Sequence, residues 1–175
     1  MVASQTLHAA EPALEPLQLR QAFSEFPQGM VVIAAEIGTG HPEALVASTL
    51  TVGVSLDPPL VSFAVQHTSS TWPRLRKEAM HLGISVMGGE QSGLCRQIAS
   101  KDRARRFDGV DFTADDGAIS IEGSPLWMKT RIHSQFPAGD HDLVVLEVLD
   151  LKRADGTQAE STPGLVFHRS EFKSI

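Results

Sequence analysis

One segment of the sequence combines hydroxyl groups with small side chains in a pattern that suits ligand binding. From Val46 to Val54 the even positions are mostly apolar, whereas the odd positions are small or hydroxylated (Ala47, Thr49, Thr51 and Gly53). This period of two predicts a strand with two different faces. The apolar face is expected to pack on a core, and the other face leaves room for a flat ligand against the backbone. Gly53 inside the run predicts a bulge or a close approach.

Two further segments supply hydroxyl groups and positive charge. Ser69, Ser70 and Thr71 precede a predicted helix, where hydroxyl oxygens and free backbone N–H groups can both meet a ligand. Between residues 91 and 107 there are five basic residues and one acidic residue, although the whole chain is acidic. The five are Arg96, Lys101, Arg103, Arg105 and Arg106. The combination favours a phosphate-bearing small molecule, although a solvated face or a subunit contact would use the same charges.

Together these segments favour a flavin nucleotide as the ligand. An isoalloxazine ring needs a flat slot beside small residues, its ribityl chain needs hydroxyl partners, and its phosphate needs N–H donors and positive charge. Other chemistries lack their motifs, since there is no Gly-x-Gly-x-x-Gly after a strand, no Gly-x-Ser-x-Gly and no His-Glu-x-x-His. The seven histidines are scattered, so no metal site is predicted. Cys95, beside Leu94 and Ile98, is expected to be a small buried hydrophobe.

The composition predicts a globular cytoplasmic protein that binds neither nucleic acid nor membranes. The chain has 175 residues, of which 42% are hydrophobic and 21% are charged, and its mean hydropathy is -0.05. Its formal net charge of -6 provides no basic field for a nucleic-acid backbone or an anionic membrane. The single cysteine cannot form an intramolecular disulfide. No run is long enough to span a membrane, and residues 1–16 have no secretion-signal pattern, so a cytoplasmic location is expected.

The spacing of apolar residues predicts a mostly β fold with peripheral helices. Residues 1–16 are expected to form a flexible N-terminal leader, and residues 17–175 one domain. About seven strands are predicted, together with about three helices. The strands are expected at residues 30–35, 46–54, 61–66, 82–86, 128–136, 143–149 and 165–167. Because strands and helices do not alternate regularly, a mostly antiparallel barrel or sandwich is favoured over a doubly wound parallel sheet.

Several ordered motifs are similar to those of one known family. They are Phe26–Val32, the run Ala47–Val61 with its segment Ser55-Leu56-Asp57-Pro58-Pro59, Ser69–Trp72, Arg106–Val110, Gly139-Asp140-His141 and Phe167-His168-Arg169. From Leu17 to Phe172 the sequence resembles the flavin reductase family, whose fold is the FMN-binding split barrel. The resemblance implies an antiparallel split β-barrel of Greek-key type.

The resemblance also implies an activity, its cofactors and its partners. Members of this family use NAD(P)H to reduce free FMN or FAD, with hydride transfer from nicotinamide C4 to flavin N5. The reduced flavin is released to a partner, commonly a monooxygenase, and the family implies a homodimer. Two alternatives within the same fold are a flavoprotein that retains FMN and acts on another substrate, and a non-catalytic flavin-binding module.

The positions of the motifs imply a set of site residues. His141 is the implied catalytic residue and faces the nicotinamide. The implied cofactor contacts are Ser48, Thr49, Thr51, Ala64, Val65, Gln66, Ser70, Thr71, Arg96, Gln97, His168 and Arg169. The sequence departs from the family pattern at three places: Val52-Gly53 occupies the place of one residue, Gln97 stands where arginine is frequent, and His168 stands where tyrosine is common. The extra residue predicts a bulge in this strand.

Overall fold

The principal element of the computed structural model is a nine-stranded antiparallel sheet, and the structure describes residues 14–154 and 162–175. Residues 1–13 of the predicted leader therefore lie outside the described residues. The strands are β1 (Gln28–Gly29), β2 (Val31–Ile37), β3 (His41–Ala47), β4 (Thr51–Leu56), β5 (Pro59–Gln66), β6 (Leu82–Val86), β7 (Phe112–Asp115), β8 (Ala118–Ile121), β9 (Leu126–Ala138), β10 (His141–Arg153), β11 (Leu165–His168) and β12 (Glu171–Ser174). The helices are α1 (Pro16–Phe23), α2 (Trp72–Glu78) and α3 (Ser92–Ile98), with 3-10 turns at Gly89–Gln91 and Arg103–Arg105.

The order of strands in the large sheet is β4-β5-β10-β9-β6-β2-β8-β7, and β3 pairs with β2 outside this path. The pairings in this sheet are antiparallel. A separate sheet has the order β1-β11-β12. Within the described part of the chain β4 and β7, the two ends of the large sheet, do not pair with each other, so the sheet is not closed. The predicted mostly antiparallel fold with peripheral helices is confirmed.

The core lies on both faces of β2. Side chains alternate along a strand, so the odd-numbered residues from Val31 to Ile37 join one buried apolar cluster, whereas Val32 and Ala34 join another. Helix α2 packs on the first cluster and α3 on the second. Within the described ranges, no helix is both long enough and apolar enough to cross a membrane. The two short helices thus cover opposite faces of the same central strand.

The predicted strand from Val46 to Val54 is wrong in one respect, because the structure divides it. Strand β3 ends at Ala47, β4 begins at Thr51, and the three residues between them belong to neither. The expected burial of its apolar face also fails in β4, where Val52 is 63% exposed and Val54 is 46% exposed. The reason is that β4 is an edge strand, which pairs only with β5 among the residues that the structure describes. The predicted bulge is present at Gly53, which has a φ of 69° and lies inside a register shift between β4 and β5.

The structure has more strands than the sequence pattern predicts. Twelve strands occur in the described residues, and the additional ones include β1, β7, β8 and β12, which have only two to four residues each. Such strands are too short for alternation to be recognised. Helix α1 ends at Phe23, and none of its residues is buried. Its apolar positions are therefore not covered by the described core.

Candidate functional site

A cleft of about 540 Å³ lies between β3, the end of β5 and the start of α2. Its lining residues are Ala44–Thr49, Ala64–Gln66, Thr68–Thr71, Ile98, Ala99, Lys101, Arg106 and His141. No carboxylate of the described residues is among them. The volume falls in the range of roughly 300–1,000 Å³ that is typical of small-molecule sites.

The backbone at Ser48 and Thr49 borders the cleft without a strand partner. The hydrogen-bond ladder between strands is interrupted at these residues. The Thr49 hydroxyl replaces it by accepting a hydrogen bond from the Ala64 N–H at 2.9 Å and donating one to the Ala64 carbonyl at 3.1 Å. The hydroxyl of Ser48 donates to Gln28 Oε1 at 3.0 Å. Among the described residues, the N–H groups of Ser48 and Thr49 have no hydrogen-bond partner. They are therefore available to acceptor atoms of a ligand.

The loop before α2 contributes hydroxyl groups, and we call Ser69–Thr71, Lys101 and Arg106 the basic end of the cleft. The oxygen of the Ser69 side chain accepts a hydrogen bond from the Trp72 N–H at 3.1 Å. The backbone carbonyl of Ser70 accepts from the Arg103 guanidinium. The Thr68 hydroxyl donates to Gln66 Oε1 at 3.3 Å, whereas the hydroxyl protons of Ser69 and Thr71 are not used among the described residues.

Arg106 is a buried cation, 8% exposed, that ties three segments of the cleft together. Its Nη1 donates to Glu43 Oε1 at 3.2 Å, to the Ala44 carbonyl at 3.0 Å and to Thr71 Oγ1 at 2.9 Å. Its Nε donates to the Ser100 carbonyl at 2.8 Å. Burial lowers the pKa of Arg106, and the neighbouring charge of Glu43 opposes this shift. A guanidinium nevertheless stays cationic at neutral pH.

Glu43 is a buried carboxylate beside this end of the cleft, and it is neutralised by two arginines. Its side chain is 5% exposed and lies 2.7 Å from Arg74 Nη1 and 3.2 Å from Arg106 Nη1. A buried carboxylate with two cationic partners adds no free negative charge to the cleft. The basic end therefore keeps a positive character.

The rim of the cleft at His141 carries two histidine–aspartate pairs. His141 lies directly opposite Gln66 in the pairing of β10 with β5. Its Nδ1 is 2.6 Å from Asp140 Oδ1, and His67 Nε2 is 3.2 Å from Asp142 Oδ1. The hydrogen bond with His141 holds the pKa of the Asp140 carboxyl below its ordinary value. An ionised Asp140 at neutral pH orients the His141 ring.

The structure brings eight of the thirteen predicted site residues together in the cleft. They are Ser48, Thr49, Ala64, Val65, Gln66, Ser70, Thr71 and His141. Two lining residues that the prediction omitted, Lys101 and Arg106, carry the positive charge of the site. The basic segment of residues 91–107 signalled their chemistry, but not which of its five cations would reach the cleft.

Arg96 and Gln97 lie outside the cleft lining. Helix α3 buries Cys95 and Ile98, so the two residues between them face away from the buried side of the helix. The Arg96 guanidinium lies 4.8 Å from the centre of the Phe172 ring. Gln97 donates through Nε2 to three backbone carbonyls of the following loop at 2.9–3.3 Å. Gln97 therefore fixes the loop that carries Arg106.

Thr51, His168 and Arg169 also lie outside this cleft lining. Thr51 borders a separate hollow of about 350 Å³ beside Phe26. His168 is the last residue of β11, and Arg169 lies in the turn before β12, where its guanidinium binds the Glu25 carboxylate at 2.9 Å. The predicted cofactor contacts of these three residues remain predictions.

The fold and the cleft define a class of protein: an open antiparallel barrel whose cleft offers unpaired backbone donors at one place and a basic end at another. Residues 23–175 match the family model described as flavin reductase like domain. The chain therefore belongs to this family, and both the resemblance found in the motifs and the split-barrel fold are confirmed. In the described residues, no group of three or more His, Cys, Asp or Glu side chains is placed to hold a metal ion.

Related proteins have names that agree with this assignment. A flavin reductase of Pseudomonas putida is 32% identical over 162 residues, which cover 91% of this chain and 90% of the relative. The NADH:FAD oxidoreductase SgcE6 of Streptomyces globisporus C-1027, solved in complex with NAD and FAD fragments, is 28% identical with a TM-score of 0.80, over 94% of this chain and 97% of that one. BorF, the flavin reductase component of a bacterial two-component tryptophan halogenase, is 29% identical with a TM-score of 0.78, over 92% and 98%.

Proposed function

We propose that this protein is an NAD(P)H:flavin oxidoreductase that reduces FMN or FAD and releases the reduced flavin to a partner monooxygenase. The observation that carries the proposal is that the unpaired backbone at Ser48 and Thr49 and the basic end at Arg106 belong to one cavity of about 540 Å³. A flavin nucleotide has the matching parts, namely a flat ring with acceptor atoms, a polyhydroxyl chain and a phosphate. The names of the relatives, flavin reductase and NADH:FAD oxidoreductase, support the same reaction.

The lining residues suit each part of a flavin nucleotide. Ala47 and Ala64 leave room for the ring, and the N–H groups of Ser48 and Thr49 supply donors for its acceptor atoms. The hydroxyls of the loop before α2 suit the ribityl chain, and the cations of the basic end suit the phosphate. The fit thus rests on the donors that the cleft presents.

When bound together, nicotinamide and flavin supply the redox chemistry, in which hydride passes from nicotinamide C4 to flavin N5. The protein must hold the two rings at reacting distance and place donors where negative charge develops. Ser48 and Thr49 supply such donors, and His141, oriented by Asp140, faces the nicotinamide. No side chain has to transfer a proton in the hydride step, so binding and orientation are the expected contributions of these residues.

A homodimer is part of the proposal, and we infer that β4 contributes to its interface. Val52, Val54 and Leu56 are apolar and are 63%, 46% and 88% exposed on this edge strand. Large apolar side chains in neighbouring positions of an exposed strand favour an interface with another chain. A second copy of the chain is the proposed occupant, since the homodimeric state is what the family resemblance implies.

A cytoplasmic location is also proposed. The chain has one cysteine, which is buried, so the fold does not depend on an oxidising compartment. The proposed use of NAD(P)H, a cytoplasmic reductant, supports the same location.

Steady-state oxidation of NADH and of NADPH, followed at 340 nm with the purified protein and varied free flavin, tests the proposed activity. We expect a rate that rises to saturation with added FMN or FAD. Turnover that is independent of added flavin would support a flavoprotein with retained FMN, and flavin binding without turnover would support a non-catalytic module. Either result would contradict the proposal.

A further inference from the structure

The carboxylate of Asp142 joins two elements beside the cleft without lining the cleft itself. Asp142 follows His141 on β10, and its side chain is 22% exposed. Its Oδ2 accepts a hydrogen bond from Gln135 Nε2 at 2.7 Å, and His67 Nε2 lies 3.2 Å from its Oδ1. Gln135 is in β9 and His67 directly follows β5. One carboxylate therefore links the two strands that flank β10 in the sheet.

Gln135 extends this link from Asp142 to helix α2. Its Oε1 accepts a hydrogen bond from Trp72 Nε1 at 3.3 Å, so its amide donates to the carboxylate and accepts from the indole. Trp72 is the first residue of α2, is 4% exposed, and packs edge-on against Phe63 with 5.2 Å between the ring centres. A buried indole N–H needs a hydrogen-bond partner, and Gln135 supplies it. Asp142 therefore holds Trp72 through Gln135.

The two residues that Asp142 holds enclose a segment of the cleft lining. Thr68–Thr71 line the cleft, and they lie between His67 and Trp72 in the sequence. This segment belongs to neither a strand nor a helix. Three of its four backbone N–H groups have no hydrogen-bond partner in the described part of the chain, the exception being that of Ser69. The conformation of the segment therefore depends on its side-chain contacts and on the two residues that flank it.

We propose that Asp142 is a positioning residue, which fixes the segment Thr68–Thr71 from outside the cleft and thereby raises the affinity of the cleft for flavin. This inference rests on the proposed function, because flavin is the ligand that reports it. Asp142 does not line the cleft, so it acts through His67 and Trp72. A segment that is already held in its binding conformation loses less conformational entropy when the ligand binds. Removing this one carboxylate releases both flanks of the segment.

Asp142→Leu removes both contacts and keeps a side chain of similar shape. It is expected to weaken FMN binding by about tenfold in a titration of flavin fluorescence, and to raise the KM for flavin by a similar factor with little change in kcat. Asp142→Asn keeps an acceptor for Gln135 and should bind FMN within about threefold of the wild type. Glu147→Leu is the matched control, because Glu147 lies on the same strand, is 21% exposed, and binds Arg131 of β9 outside the cleft lining.

Gln135→Leu provides a second test that leaves β10 unchanged. It should weaken FMN binding by about 3- to 10-fold, and it should add little to Asp142→Leu, because both substitutions break the same chain of contacts. Additive effects of the two substitutions would overturn the inference. A lower melting temperature with unchanged FMN affinity in Asp142→Leu would also overturn it, since the role of the carboxylate would then be structural only. Failure of the proposed function looks different, because the wild-type protein would then bind flavin without oxidising NAD(P)H.

Discussion

The hydroxyl group of Thr49 is hydrogen-bonded to both backbone polar groups of Ala64, at 2.9 Å from the nitrogen and 3.1 Å from the oxygen. This threonine side chain supplies the hydrogen-bond partners that the backbone of a neighbouring strand supplies elsewhere in the sheet. The consequence is that β5 keeps its hydrogen bonds while the backbone N–H groups of Ser48 and Thr49, at the cleft, have no partner in the described part of the chain. We therefore propose that Thr49 contributes to ligand binding through the backbone that it holds.

Replacing Thr49 by valine should weaken flavin binding by about tenfold, because both hydrogen bonds to Ala64 are lost while side-chain shape is kept. Thr49→Ser retains the hydroxyl and should bind flavin like the wild type. Fluorescence titration measures the affinity, and hydrogen exchange of the Ala64 amide in flavin-free protein reports the lost bond. Unchanged exchange of this amide in Thr49→Val would contradict a role through the backbone.

Replacing His141 by alanine should raise the KM for NAD(P)H by about tenfold and change kcat little, because the proposed role of this residue is to bind the nicotinamide. Asp140→Asn should have a smaller effect in the same direction, since it weakens the contact that orients the ring. His133→Ala is the control, because His133 is an exposed histidine outside the cleft lining. A KM that is the same in His141→Ala and wild type would disprove the assignment.

Cys95 should be unreactive in the folded protein up to strongly alkaline pH. It is 1% exposed, and burial raises the pKa of its thiol from 9.0 to about 11, although the charge of Arg96 opposes this shift. Between these values the unfolded chain releases the thiol proton and the folded chain keeps it, so stability should fall as pH rises from 9 towards 11. Labelling with iodoacetamide at pH 8 should be slow in buffer and fast in denaturant. Rapid labelling of the folded protein would show an accessible thiolate instead.

Local sequence patterns predicted those structural elements that depend on residues close together in the sequence. Alternation predicted the strand from Val61 to Gln66, which is β5, and a single glycine predicted the bulge at Gly53. The division of the run from Val46 to Val54 was not predictable in the same way. Ser48 is the one polar residue at an even position of this run, and a single exception does not predict the end of a strand. The structure shows that the segment leaves the ladder before β4, which lies at the sheet edge.

The candidate site was predictable where its residues are close in sequence, and less so where they meet by folding. The hydroxylated strand end and the loop before α2 were identified by residue type. The role of Arg106 was not, because it depends on Glu43 and Ala44, which are 63 and 62 residues away. Arg96 and Gln97 show the converse, since their residue types suit a ligand but the orientation of α3 directs them to structural contacts.

A charge on β4 should dissociate the proposed homodimer without unfolding the chain. Val52→Glu and Val54→Glu each place a carboxylate on a surface that is exposed in the single chain, so they should cost little stability there. In a dimer they would bury an unpaired charge and weaken association by roughly 30- to 100-fold.

Light scattering after gel filtration should give twice the chain mass for the wild type and a single chain mass for the variants. Met80→Glu, at a 79% exposed position outside β4, is the control that should remain dimeric. If the wild-type protein has the mass of one chain, the proposed homodimer and its interface at β4 are wrong. If the variants have twice the chain mass, the interface lies elsewhere on the protein.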